Sequence, residues 1–114
     1  MTVAIETRHW MPVCKLADLQ PERGVAALID RTQVAIFRTR DGELYAIGNR
    51  DPFSGAYVLS RGIVGSRGDV PTVASPMHKQ VFDLRTGRCL DDAEVAVPTY
   101  PVRVAGGVVE VEVA

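Results

Sequence analysis

Apolar and polar positions alternate along most of this chain in short runs, each closed by Gly, Pro or Asp. A period of two predicts antiparallel β-strands rather than helices. The first strand is expected over Trp10 to Cys14, where Pro12 marks an edge or a bulge. Lys15 to Gly24, with Leu16, Asp18, Leu19 and Pro21, suits a helical turn and a loop. Val25 to Ile29 and Gln33 to Arg38 read as a hairpin joined across Asp30-Arg31-Thr32. In its second strand Val34 and Ile36 alternate with Ala35 and Phe37, so both faces are expected to be partly buried. Asp41-Gly42 makes the next turn, because both residues tolerate positive φ, and Leu44 to Ile47 returns from it.

The pattern loosens from Asn49 to Thr72, punctuated by Gly55, Gly62, Gly65, Gly68 and Pro71. Only Ala56 to Leu59 and Ile63-Val64 stand out there as ordered apolar pieces, so a first loop is expected over 49–72. A loose stretch of that length in a small domain is usually functional or disordered. Val73-Ala74 leads into a second loop over 75–80, and Gln80 to Leu84 leaves it as a strand. Thr86-Gly87 then turns the chain towards Cys89-Leu90. Tyr100 to Ala105 and Val108 to Val113 form a last hairpin across Gly106-Gly107, with Val109, Val111 and Val113 opposite Glu110 and Glu112. About ten short strands and almost no helix predict an all-β antiparallel sandwich with two protruding loops. No repeat, linker or low-complexity tract divides the chain, so a single domain over 1–114 is expected.

Composition narrows the picture. The 114 residues suffice for one packed core but not for two. Thirteen basic against fourteen acidic residues give a net charge of −1, without the footprint that nucleic acid or an anionic membrane requires. Met-Thr-Val-Ala-Ile-Glu-Thr-Arg at the start has no basic region followed by an apolar run, so no signal peptide is expected. Nor does any apolar stretch approach the roughly 20 residues of a membrane helix. A cytoplasmic protein is expected, with Cys14 and Cys89 as free thiols.

Two Cys and two His equal the ligand count of a Cys₂His₂ zinc site, but their spacing argues against one. His9 and Cys14 share an expected edge strand, and His78 and Cys89 lie eleven apart across a turn. Metal sites draw ligands in compact pairs from tight turns. Arg61-Gly-Ile-Val-Gly-Ser-Arg-Gly68 lacks the Gly-Lys-Ser/Thr ending of a phosphate loop. Asp51 and Ser75 are expected to tie the two loops together by hydrogen bonds, with Phe53 filling space beside them. The sharper alternative is an Asp51–His78 pair, in which the carboxylate orients the imidazole. No nucleophile elbow or oxyanion donor pattern surrounds Ser75 to make such a pair catalytic. Lys79, Arg61 and Arg67 are candidates for a basic rim at the loop tips, and Trp10 is expected in the core or beneath the loops.

The loops resemble those of Rieske iron–sulfur proteins, whose pattern is Cys-x-His followed by Cys-x-x-His-x-x-x-Phe-Asp-x-x-Thr-Gly. Laid on it, Asp51 stands for the first Cys, Phe53 for the first His and Ser75 for the second Cys, while His78 remains. Trp10-x-x-Val-Cys14, Val34-Ala-Ile-Phe-Arg38, Asn49-x-Asp-Pro-Phe-Ser54 and Ser60-Arg-Gly-Ile-Val-Gly65 are similar to the small subunits of assimilatory NAD(P)H-dependent nitrite reductases. So are Ser75-Pro-Met-His-Lys-Gln80 and Thr86-Gly-x-Cys-Leu90. The resemblance implies a Rieske-like fold without a cluster, and no cofactor, metal or catalytic residue on this chain. It also implies a large-subunit partner that carries flavin, an iron–sulfur cluster and siroheme and reduces nitrite to ammonium. Phe53, Arg61, Met77, His78 and Lys79 would then face that partner. Two other classes stay open: a [2Fe–2S] electron-transfer protein with altered ligands, and a free-standing β-sandwich interaction module.

Overall fold

The computed structural model describes residues 9–113. Met1 to Arg8, in which no signal peptide is expected, lie outside the described residues. Ten strands form three antiparallel sheets, joined with two single 3₁₀ turns. The middle sheet holds β2 (Arg23–Ile29), β3 (Thr32–Arg38), β4 (Leu44–Gly48) and β8 (Thr99–Tyr100), in the order β2-β3-β4-β8. One flanking sheet is β1-β10-β9, from β1 (His9–Lys15), β9 (Val102–Ala105) and β10 (Val108–Val113). The other is β5-β6-β7, from β5 (Ile63–Arg67), β6 (Val70–Ala74) and β7 (Val81–Asp83).

The alternation in β3 explains why the middle sheet has two packed faces. Val34 and Ile36 join Leu19, Ile29, Ala46, Val109 and Val111 in a core against β10. Ala35 and Phe37 join Ile47, Leu59, Val73, Phe82, Leu84, Cys89 and Val97 in a second core against β6 and β7. The second core lies beneath the loops. Cys14 packs at the margin of the first core and Cys89 within the second, and both are free thiols. Burial, with Asp18 adding to it, pushes the Cys14 thiol up from its ordinary pKa.

Several local expectations hold. β1 is an edge strand whose register slips between Pro12 and Cys14, because proline cannot donate to the ladder. Asp30 and Arg31 alone span the β2–β3 turn, both at positive φ (45° and 69°). Val109 and Val111 are fully buried on β10.

Other expectations need correction. The strand expected over Tyr100 to Ala105 is two: Pro101 interrupts it, β8 pairs with β4, and β9 pairs with β10. The loop expected over 49–72 ends earlier, since β5 and β6 form a hairpin turned at Gly68 (φ 64°). Most of β5 is exposed, so its sequence carries no alternation, and only pairing with β6 makes it a strand. Trp10 lies neither in a core nor under the loops. It is half-buried on β1, with the Arg103 guanidinium 4.2 Å above its ring and Arg103 bonded to Glu110.

Candidate functional site

Both loops emerge at one end of the β5-β6-β7 sheet, where Ile63, Ala74 and Val81 lie side by side across the strands. Loop 1 is built around Asn49, a buried residue directly after β4. Its Oδ1 accepts from the Ser60 amide at 2.8 Å, so its Nδ2 must donate, to Gln33 Oε1 at 3.2 Å and the Tyr57 carbonyl at 3.3 Å. One side chain thus ties the start, middle and end of the loop to β3. The 3₁₀ turn Leu59–Arg61 follows, and Leu59 drops fully into the core below.

Loop 2 is a closed turn. The Ser75 amide donates to the Gln80 carbonyl at 2.9 Å, and the Lys79 amide donates to the Ser75 carbonyl at 3.0 Å. Closing it so tightly sets Lys79 at φ 62°, an uncommon conformation for a residue with a side chain.

Asp51 and Ser75 join the loops. The Ser75 hydroxyl donates to Asp51 Oδ2 at 2.5 Å, and both residues are buried. Asp51 Oδ1 accepts from the Phe53 amide at 2.8 Å and the Ser54 amide at 3.4 Å. The Ser75 oxygen in turn accepts from the Met77 amide at 3.2 Å. Burial alone would raise the Asp51 pKa, but the Ser75 hydroxyl and the two amides outweigh it and hold the carboxyl below its ordinary value. A buried carboxylate with three donors is a structural anchor.

The other two positions face outward. Phe53 is 37% exposed and tilts against the buried Phe82 ring, with centroids 6.3 Å apart. His78 is exposed, as are Met77, Lys79 and Arg61. Asp51 and His78 are not hydrogen-bonded to one another, so the sharper pairing is not formed: the Asp51 oxygens are taken by Ser75, Phe53 and Ser54. Arg67 does not join the rim either, being turned to Asp91 at 3.5 Å.

A Rieske centre needs two thiolates on one iron and two imidazoles on the other. A carboxylate, a phenyl ring, a hydroxyl and one imidazole do not supply that donor set. Among the described residues no group of three or more His, Cys, Asp and Glu side chains converges as a metal site. Cys14 and Cys89 cannot substitute, since they pack on opposite faces of the middle sheet. The residues present therefore do not fit a [2Fe–2S] group.

Three sheets with two joined loops at one end define a Rieske-like domain, and the family described as "Rieske-like [2Fe-2S] domain" matches residues 9–112. The small subunit of NADH nitrite reductase from Escherichia coli K12 is 44% identical over 103 residues, covering 90% of this chain and 95% of that one. A crystal structure from Mycobacterium tuberculosis, provisionally named an NADH-dependent nitrite reductase small subunit, superposes with a TM-score of 0.92 at 50% identity. It covers 96% of this chain and 98% of that one. The nitrite reductase [NAD(P)H] large subunit of Klebsiella oxytoca is 42% identical over 104 residues, covering 91% of this chain and 11% of that protein. This chain belongs to the Rieske-like domain family, on the branch of the nitrite reductase small subunits.

Asn49 carries more of the site than the sequence analysis gives it. Its place in Asn49-x-Asp-Pro-Phe-Ser54, at the end of an apolar strand, is the signal, but the three bonds by which it organises loop 1 are not readable from it.

Proposed function

We propose that this chain is the cluster-free accessory subunit of a cytoplasmic NAD(P)H-dependent nitrite reductase, binding and supporting a large subunit that carries the flavin, iron–sulfur and siroheme cofactors. It performs no redox step itself. The observation that carries this reading is the buried Asp51–Ser75 hydrogen bond at two ligand positions of a Rieske frame. Phe53, packed against Phe82, occupies a third. A frame whose ligand positions serve structure keeps its outer surface for association. The relative in which this domain forms 11% of a large-subunit chain supports that partner, since covalent fusion makes the two neighbours. The partner contact lies at the loop tips, on Phe53, Arg61, Met77, His78 and Lys79.

Anaerobic purification of the chain alone, followed by an absorbance spectrum and iron analysis, tests the reading. A colourless, iron-free, folded protein that co-elutes with the large subunit is expected. A brown band with about two irons per chain, the content of a [2Fe–2S] centre, would make it an altered-ligand electron carrier. A colourless protein that ignores the large subunit would make it an unrelated interaction module.

A further inference from the structure

A cleft of about 350 Å³ opens beside loop 1, between the β2–β3 turn and the stretch leading into β8. Arg31, Gln33, Arg50, Tyr57, Pro98 and Tyr100 are among the residues that form its wall, and no Asp or Glu among the described residues lines it. Arg31 and Arg50 are the charged residues of its wall. Gln33 is oriented through Asn49: the Ser60 amide fixes the Asn49 side chain, Asn49 Nδ2 donates to Gln33 Oε1, and the Gln33 NH₂ is left for the cleft. Neither Arg31 nor Arg50 forms a salt bridge among the described residues. The nearest carboxylate in sequence to Arg50, Asp51, is buried and turned to Ser75.

The backbone at Arg31 is telling. It sits at φ 69° in a two-residue hairpin turn, where Gly or Asn is the usual choice. A long cationic side chain is an uncommon occupant of that turn position, and the turn projects it on a fixed backbone. Arg50 is held by its bridge to Tyr57 across loop 1, so both guanidiniums ride on braced backbone.

The charge distribution has a direction. A second cleft, at the other end of β3, is lined by Glu22, Asp41, Glu43 and Asp69 with Arg40 alone as cation. A chain of net charge −1 thus carries an acidic cleft at one end of its middle sheet and a cationic one at the loop-1 end. Such a field orients a partner on approach.

We propose that the Arg31–Arg50 cleft receives an acidic peptide segment of the large subunit, a Glu or Asp carboxylate pairing with the guanidiniums that line it. The proposal rests on the accessory-subunit reading and extends the partner surface from the loop tips onto the side of loop 1. The cleft is larger than one inorganic oxyanion, and its proline and tyrosine walls suit a carboxylate carried on an apolar stem. Arg is the favoured cation for such a site because its planar fork meets a carboxylate through two parallel bonds.

Two measurements test it. In the first, Arg31→Asn, Arg50→Gln and the double variant are titrated with the purified large subunit at low and moderate salt. Asn tolerates the turn conformation, and an unchanged melting temperature checks each fold. Each single change is expected to weaken binding by about 5–30-fold and to flatten its salt dependence, while Arg40→Gln, an equal loss of charge at the acidic end, leaves it unaltered. Binding unchanged in the double variant would overturn the proposal and leave the accessory role intact. Failure of the unmodified chain to bind would overturn the accessory role and this partner together. The second measurement needs no partner: a ¹⁵N-labelled chain is titrated with tetraglutamate and, separately, with nitrite. Tetraglutamate is expected to shift the Thr32, Gln33 and Tyr57 amides. Shifts confined to other residues, or nitrite binding as tightly as the peptide, would overturn an acidic peptide as the occupant.

Discussion

Asp51 is the residue that joins the two loops, through the Ser75 hydroxyl and the Phe53 and Ser54 amides. Its carboxylate is ionised in the fold and accepts three bonds, so removing the Ser75 hydroxyl leaves buried charge less satisfied. Ser75→Ala is expected to cost about 1.5–3 kcal/mol, read from urea unfolding. The folded Asp51 pKa lies below its unfolded value, so the unfolded chain takes up this proton first as pH falls. The stability that the carboxylate supplies is therefore fully present at neutral pH and fades below about pH 4. Asp51→Asn should flatten that acid limb; an unaltered limb would mean that the anchor carries no charge. Restoring ligands is a different test. Asp51→Cys with Phe53→His and Ser75→Cys is expected to stay colourless after reconstitution with iron and sulfide. Three substitutions do not recreate the outer hydrogen bonds that hold such a site.

At the scale of elements, glycines set how closely the loops can settle. Gly62 ends the 3₁₀ turn against β6, where a Cβ would lie 2.4 Å from the Ala74 carbonyl oxygen. Gly87 combines φ 76° with a Cβ position 2.0 Å from the Val97 carbonyl oxygen. Both contacts are with backbone, which cannot rotate away. Gly62→Ala and Gly87→Ala are each expected to destabilise by more than about 2 kcal/mol, seen as a lower melting temperature. A Gly62→Ala melt matching the parent would show loop 1 to be less tightly seated than its packing implies.

For the whole molecule, the prediction concerns association. The two loops expose the apolar Phe53 and Met77, 37% and 50% exposed, together with the cations Arg61 and Lys79. Arg61→Glu and Lys79→Glu are expected to weaken co-elution with the large subunit while leaving the circular dichroism spectrum unchanged, because both side chains are exposed. Undiminished co-elution of both would move the contact to another face. Isolated surface charges contribute little to folding, so loss of fold in either variant would be unexpected.

Much of the molecule is legible in the chain. The β class follows from a period of two, and the two-sided burial of β3 follows from Val34, Ala35, Ile36 and Phe37 in succession. Pro12 and Asp41-Gly42 announce their local geometry, because such residues restrict backbone angles whatever surrounds them. The tie between Asp51 and Ser75 is also readable, since a carboxylate and a hydroxyl announce a hydrogen bond by chemical identity. Tertiary structure alone decided the rest. β5 is a strand because β6 offers it partners, and Trp10 meets Arg103 because β1 and β9 both pair with β10. Arg31 and Arg50 line one cleft although nineteen positions separate them. The physical reason is range: alternation and turn chemistry act between near neighbours, whereas pairing, shared burial and charge alignment exist only once distant segments have met.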